Sequence, residues 1–113
     1  MQSKAEKPES RLRSVRTGEF KKMLARLPER IQKLSEAHFG LFEKDPYDPM
    51  LENEDCYDSR RGRHRAGSRA VSLTRRYRAL YVVDNGRDGK GPKQYCWYWV
   101  GSHEDYNNFI GSK

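Results

Sequence analysis

A histidine and a tyrosine at the end of one aromatic strand, and an arginine in the middle of another, are the residues of this chain best suited to chemistry. The run Tyr95-Cys-Trp-Tyr-Trp-Val-Gly-Ser-His-Glu-Asp-Tyr106 reads as a strand that enters Gly101-Ser102 and delivers His103 and Tyr106 where a helix can begin. Upstream, Arg78 is embedded in the apolar strand Tyr77-Arg-Ala-Leu-Tyr-Val-Val83. An imidazole titrates near neutral pH and can hand a proton to a leaving 5′ oxygen. A guanidinium can hold the charge that develops on a phosphoryl oxygen. Arg78, His103 and Tyr106 are therefore the candidate catalytic residues of a metal-free RNA-cutting site, with Tyr106 as the orienting or stacking member.

Each has a plainer reading beside it. A buried guanidinium needs an anion, because burying it unpaired costs several kcal/mol, and a core carboxylate such as Glu36 or Glu43 could supply one. His103, next to Gly-Ser, could be a turn or capping residue. His64 lies in an arginine run and reads as a solvated loop residue, while His38 has helical spacing beside an apolar face and reads as structural.

The formal charge of +7 on 113 residues points to a polyanionic partner, nucleic acid or an acidic protein. That charge is segregated: residues 43–58 hold seven acids and one lysine, and residues 59–83 hold eight arginines and no acid. Arg69, Arg75, Arg76, Arg63 and Arg65 are the candidate RNA-binding set, with Tyr47, Tyr77, Tyr98 or Trp99 to stack on unpaired bases. Cys56 and Cys96 show no metal-ligand spacing, so no metal or other cofactor is expected. Cys96, among aromatics, reads as a small apolar residue in a reducing cytoplasm; the alternative is a single disulfide to Cys56. No apolar run approaches the length of a membrane span, and residues 1–10 have no apolar centre of a signal peptide. A cytoplasmic protein without a membrane partner is expected.

The elements that must position these residues follow from periodicity. Residues 1–10 read as a flexible tail, and residues 11–113 as one domain with a modest core. Residues 11–17 alternate weakly and could form an edge strand. Thr17 is suited to cap a helix carrying Phe20, Met23, Leu24 and Leu27, and Pro28 to start a second helix burying Ile31, Leu34, Leu41 and Phe42, the two making an αα-hairpin. Residues 51–67 read as a long solvated loop. Residues 68–73 and 77–83 form a hairpin joined at Thr74-Arg75-Arg76; residues 84–93 are a glycine-rich connection, 95–100 a strand and 104–110 a short helix. The order β-α-α-β-β-β-α predicts an α+β fold, a small antiparallel twisted sheet with a helical hairpin packed on one face.

Four stretches, in this order and spacing, resemble the RelE/ParE superfamily of toxins from type II toxin–antitoxin pairs. They are Phe20-Lys-Lys-Met-Leu-Ala-Arg-Leu-Pro28, Phe42-Glu-Lys-Asp-Pro46 with Pro49, Ser72-Leu-Thr-Arg-Arg-Tyr-Arg-Ala-Leu-Tyr81, and Trp97-Tyr-Trp-Val-Gly-Ser-His-Glu-Asp-Tyr106. The resemblance implies a cognate antitoxin as partner and one of two activities. RelE-like members cut mRNA on the ribosome without a metal, and their strand arginine and terminal histidine map onto Arg78 and His103. ParE-like members share the fold and poison DNA gyrase, and an inactive binding protein of the same fold is a further alternative. The chain departs from the nuclease pattern at Ser72, where an arginine is common; Tyr106 stands near the aromatic that follows the histidine in some members.

Overall fold

The computed structural model describes residues 13–56, 62–84 and 93–111. The 1–10 tail, the middle of the 51–67 loop and nearly all of the 84–93 connection lie outside the described residues. Five strands form one sheet in the order β1-β5-β4-β3-β2. These are β1 (Arg13–Arg16), β2 (Glu54–Asp55), β3 (Arg69–Thr74), β4 (Tyr77–Asp84) and β5 (Gln94–Ser102). Four of them run antiparallel in sequence, and the fifth, β1, lies parallel to β5 with Ser14 against Tyr95.

Helix α1 (Gly18–Ala25) begins where Thr17 leaves the sheet: its N–H donates to the Trp97 carbonyl and its hydroxyl accepts from Phe20 N–H at 3.0 Å. That satisfies one of the helix's orphan donors. A short connection leads through Pro28, the N-cap residue of helix α2 (Glu29–Lys44). The buried stripe of α2 is Ile31, Ser35, Phe39 and Phe42, which corrects the expected stripe through Leu34 and Leu41. Steps of four, four and three keep those side chains on one line facing the sheet, and Leu34 and Leu41 fall half-buried on its flanks.

Phe42 sits edge-on to Tyr81, Tyr95 and Trp97, with ring centres 5.1, 4.8 and 4.9 Å away. Together with Phe20, Phe39, Val71 and Leu73 these rings make the main core between the sheet and α1 and α2. The other face of the sheet carries Ala70, Leu80, Tyr98 and Trp99 under helix α3 (His103–Ile110). Alternation alone would send Tyr98 and Trp99 to opposite faces. The ladder shifts there, Tyr81 facing Trp97 and Leu80 facing Trp99, so Tyr98 is an extra residue and both rings join the α3 side.

The expected solvated loop at 51–67 is partly built into the sheet. A 3₁₀ turn, Pro49–Leu51, buries Leu51 completely, β2 pairs with β3, and Cys56 is buried beyond it. Both cysteines are free thiols; Cys56 is buried and Cys96 half-buried. His64 is half-buried against Gly62 rather than solvated. His38 is structural as expected: its Nδ1 donates to the Ser72 carbonyl at 2.8 Å and ties α2 to β3.

Candidate functional site

The three candidate catalytic residues come together on the α3 side of the sheet. Arg78 leaves β4 on the same face as Leu80, and its side chain is 17% exposed. Its Nη1 lies 3.3 Å from Glu54 Oε2, and its guanidinium carbon stands 5.2 Å from the centre of the Tyr106 ring. Its Nε is buried and has no hydrogen-bond partner among the described residues. The acid that meets Arg78 is thus Glu54, on β2, and neither Glu36 nor Glu43. Glu36 pairs with Arg16 instead, at 3.2 Å.

Tyr106 stands between the arginine and the histidine, its ring 6.0 Å from that of His103. Its hydroxyl is turned inward, 3.5 Å from Cys56 Sγ. Burial pushes the phenol well above the usual tyrosine range, and the Cys56 contact pushes it further. Tyr106 therefore stays neutral at physiological pH and acts through its ring, as a platform for Arg78 and a wall beside His103. Burial likewise raises the Cys56 thiol, which packs under the Tyr106 hydroxyl.

Ser102 caps α3 by accepting from Asp105 N–H at 3.1 Å, which puts His103 in the first turn. The His103 N–H donates to the Arg76 carbonyl at 2.6 Å, fixing the start of α3 to the β3–β4 turn. On the ring, Nδ1 lies 3.3 Å from Asn107 Nδ2. The Asn107 amide can donate to a bare Nδ1 or, turned over, accept from an Nδ1–H, so it holds the ring in place in either state. Gly101 belongs to this construction: a β-carbon there would come within 2.8 Å of the Trp99 ring, which lies over the strand end just before Ser102 and His103.

The candidate RNA-binding arginines divide. Arg75 and Arg76 are exposed at the turn beside His103. Arg63 and Arg65 are exposed on the α3 side, over the rings of Phe109 and Tyr98 at 5.5 and 4.5 Å. Arg69 is not brought to this group. It faces the α1–α2 side with its register partner Tyr81, and its guanidinium is taken by Asp55 and Asn53 and stacked 5.4 Å from the Tyr47 ring. Of the expected stacking residues, Tyr98 and Trp99 are buried, Trp99 lying flat against Phe109 at 5.0 Å. Tyr47 is 63% exposed beside Arg69, and Tyr77 is half-buried.

Sequence reasoning missed Glu54. The signal that could have found it is the charge segregation itself: an acidic stretch followed by an acid-free arginine stretch is what two segments that pair with each other look like. Ser72, opposite Arg78 in register, is also on this face, and its hydroxyl donates to Glu52 Oε1 at 2.6 Å. Among the described residues, no group of three or more histidine, cysteine or acidic side chains is placed to hold a metal ion. No helix among them is long and apolar enough to cross a membrane.

The five-stranded twisted sheet with its helices defines a RelE/ParE-like toxin fold. A solved structure, the YoeB/ParE toxin from Agrobacterium tumefaciens, is similar to this chain over 81% of its length and 99% of its own, with a TM-score of 0.58. Sequence identity is 14%, so the likeness is one of fold. No protein-family model matches the chain, and no curated protein does.

Proposed function

We propose that this chain is the toxin of a type II toxin–antitoxin pair and that it inhibits translation by cutting mRNA on the ribosome without a metal. The observation that carries the reading is Arg78, a nearly buried cation on the sheet, flanked by a carboxylate on one side and by the Tyr106 ring and an oriented imidazole on the other.

The chemistry needs three things. The 2′-hydroxyl must lose its proton as its oxygen attacks the adjacent phosphorus, the crowded phosphoryl oxygens must be held by positive charge, and the departing 5′ oxygen must be protonated. Glu54 is the group that takes the 2′ proton. Arg78 holds a non-bridging oxygen through the face it does not share with Glu54, and Arg75 or Arg76 can clamp a neighbouring phosphate. His103, as the imidazolium, gives its Nε2 proton to the 5′ oxygen as the P–O bond breaks, leaving a 2′,3′-cyclic phosphate and a free 5′-hydroxyl. It keeps the proton on Nδ1, which the Asn107 amide can hold through its oxygen. Tyr106 keeps Arg78 and His103 in place. The exposed arginines on the α3 side serve the RNA backbone and, in the resting pair, an acidic antitoxin in the cytoplasm.

A second reading is favoured by one observation: Arg78 already has a counter-ion, so its burial is explained without a substrate. On that reading the chain is a binding protein of the same fold, a DNA gyrase inhibitor of the ParE kind or an inactive relative. Inducing the wild type and the His103→Ala protein and mapping 5′-hydroxyl ends across cellular mRNA separates the two. The nuclease reading expects cuts in the wild type and their loss in the variant; growth arrest without cuts belongs to the binder.

A further inference from the structure

Residues 52–55 present a problem of register. They lie at the edge of the sheet, their backbone pairs with β3 at two positions only, and Glu52 adopts a left-handed conformation (φ 49°) that a residue other than glycine adopts only when its surroundings impose it. In so short a strand a slip by one residue would move every side chain to the other face and take Glu54 away from Arg78. Yet the four side chains alternate without error. Glu52 meets Ser72 and Glu54 meets Arg78 on the α3 side, while Asn53 and Asp55 meet Arg69 on the α1–α2 side.

We infer that Asn53 is the residue that positions Glu54. Its half-buried amide makes three hydrogen bonds, to three separate parts of the fold. Nδ2 donates to the Pro46 carbonyl at 2.9 Å and to the Tyr81 hydroxyl at 2.8 Å, and Oδ1 accepts from Arg69 Nε at 2.7 Å. The loop after α2, strand β4 and strand β3 are thereby joined at one side chain. Tyr81 is a rigid anchor, because its ring is buried in the aromatic core. The segment's other polar side chains are carboxylates on exposed residues, which hold less tightly in water. Asn53 sets the phase of the segment from the core side, and Glu54 is then delivered to the opposite side, against Arg78. This assignment rests on the nuclease reading for the purpose it gives to Glu54, and on geometry alone for the latch.

Two variants test it. Asn53→Ala removes the amide, and Tyr81→Phe removes one of its anchors while keeping the ring in the core. Amide hydrogen exchange over residues 52–56 is measured for both in the full chain, together with kcat and KM for cleavage of a single-stranded RNA in a ribosome-programmed assay. Asn53→Ala is expected to speed exchange in this segment by about tenfold or more, with exchange in β4 and β5 unchanged. It is expected to lower kcat by about 10²-fold with little change in KM, the pattern of a displaced catalytic group rather than a lost binding surface. Tyr81→Phe should move both readouts the same way by less, and adding it to Asn53→Ala should change little. Unchanged exchange in Asn53→Ala overturns the latch whatever the cleavage result, and faster exchange with unchanged kcat overturns the positioning role. Faster exchange in a protein whose wild type never cuts RNA supports the latch and sinks the nuclease reading instead.

Discussion

The two faces of the sheet are built on different principles. The face under α1 and α2 is filled by Phe20, Phe39, Phe42, Tyr81, Tyr95 and Trp97, large rings mostly in edge-to-face contact, with Ser35 as a buried polar residue in the α2 stripe. The face under α3 has a smaller apolar cluster, and beside it stand Arg78, Glu54, Ser72 and His103. Aromatic packing of the first kind supplies stability through area removed from water and ring geometry. The second face gives up some of that area to hold charged groups half out of water. On the proposed function, stability and chemistry are separated by the thickness of one sheet, and alternate residues of β4 serve one or the other.

The separation can be broken from either side. Phe42→Ala, in the middle of the ring cluster, should cost about 3–5 kcal/mol of stability; the check is its unfolding midpoint in urea, and a cost near that of a surface change would mean that the ring cluster is not the main core. His103→Ala should leave that midpoint almost unmoved and reduce RNA cleavage by about 10²–10⁴-fold, the usual range for a lost acid–base group. Arg78→Ala should lose on the order of 10²-fold in cleavage rate, as for one missing contact to a developing oxyanion. It also removes the apolar stem, so Arg78→Met, which keeps the stem while leaving Glu54 equally without its cation, is the better measure of fold. Cleavage that survives both His103→Ala and Arg78→Met would falsify the assignment of chemistry to the α3 face.

The smallest effect concerns alkaline pH and both faces at once. Burial raises the phenol of Tyr81, on the core face, to about 12, and raises those of Tyr98 and Tyr106 on the α3 face. In the unfolded chain these phenols ionise near the ordinary value of about 10, so above that pH the folded state holds more protons than the unfolded one. Their contribution to stability is complete below about pH 10 and is lost as pH rises towards 12. The urea midpoint should therefore be insensitive to these groups up to about pH 9 and fall steadily beyond about pH 10. Tyr81→Phe should make that fall shallower.

Much of the core face could be read from the sequence, and only part of the other. Thr17 as a cap, Pro28 as a helix start and the strands on either side of Arg75-Arg76 follow from local rules, and the structure has them. Arg78, His103 and Tyr106 were each visible because an arginine in an apolar strand and a histidine at a strand end stand out against their neighbours. Phe39 was overlooked because two competing stripes fit α2, and only the sheet chooses between them. Strand β2 was invisible for a different reason. Glu54-Asp55 has the composition of a loop, and its extended form is imposed by Arg69, Arg78 and Ala70, residues that no local pattern connects to it. The extra residue at Tyr98 belongs to the same class, since a bulge is a property of two strands and not of one.

The parallel pairing of β1 with β5 has a consequence in time. Residues 13–16 find their only strand neighbour among the described residues at 94–97, so the sheet cannot be closed until residues 94–97 have been made. Contacts this far apart in sequence form slowly and late. His103 follows directly on β5, so the same event that closes the sheet brings His103 to Arg78. On the proposed function, a nascent chain that stops short of β5 has Arg78 and Glu54 but not His103, and is inert until β5 is made.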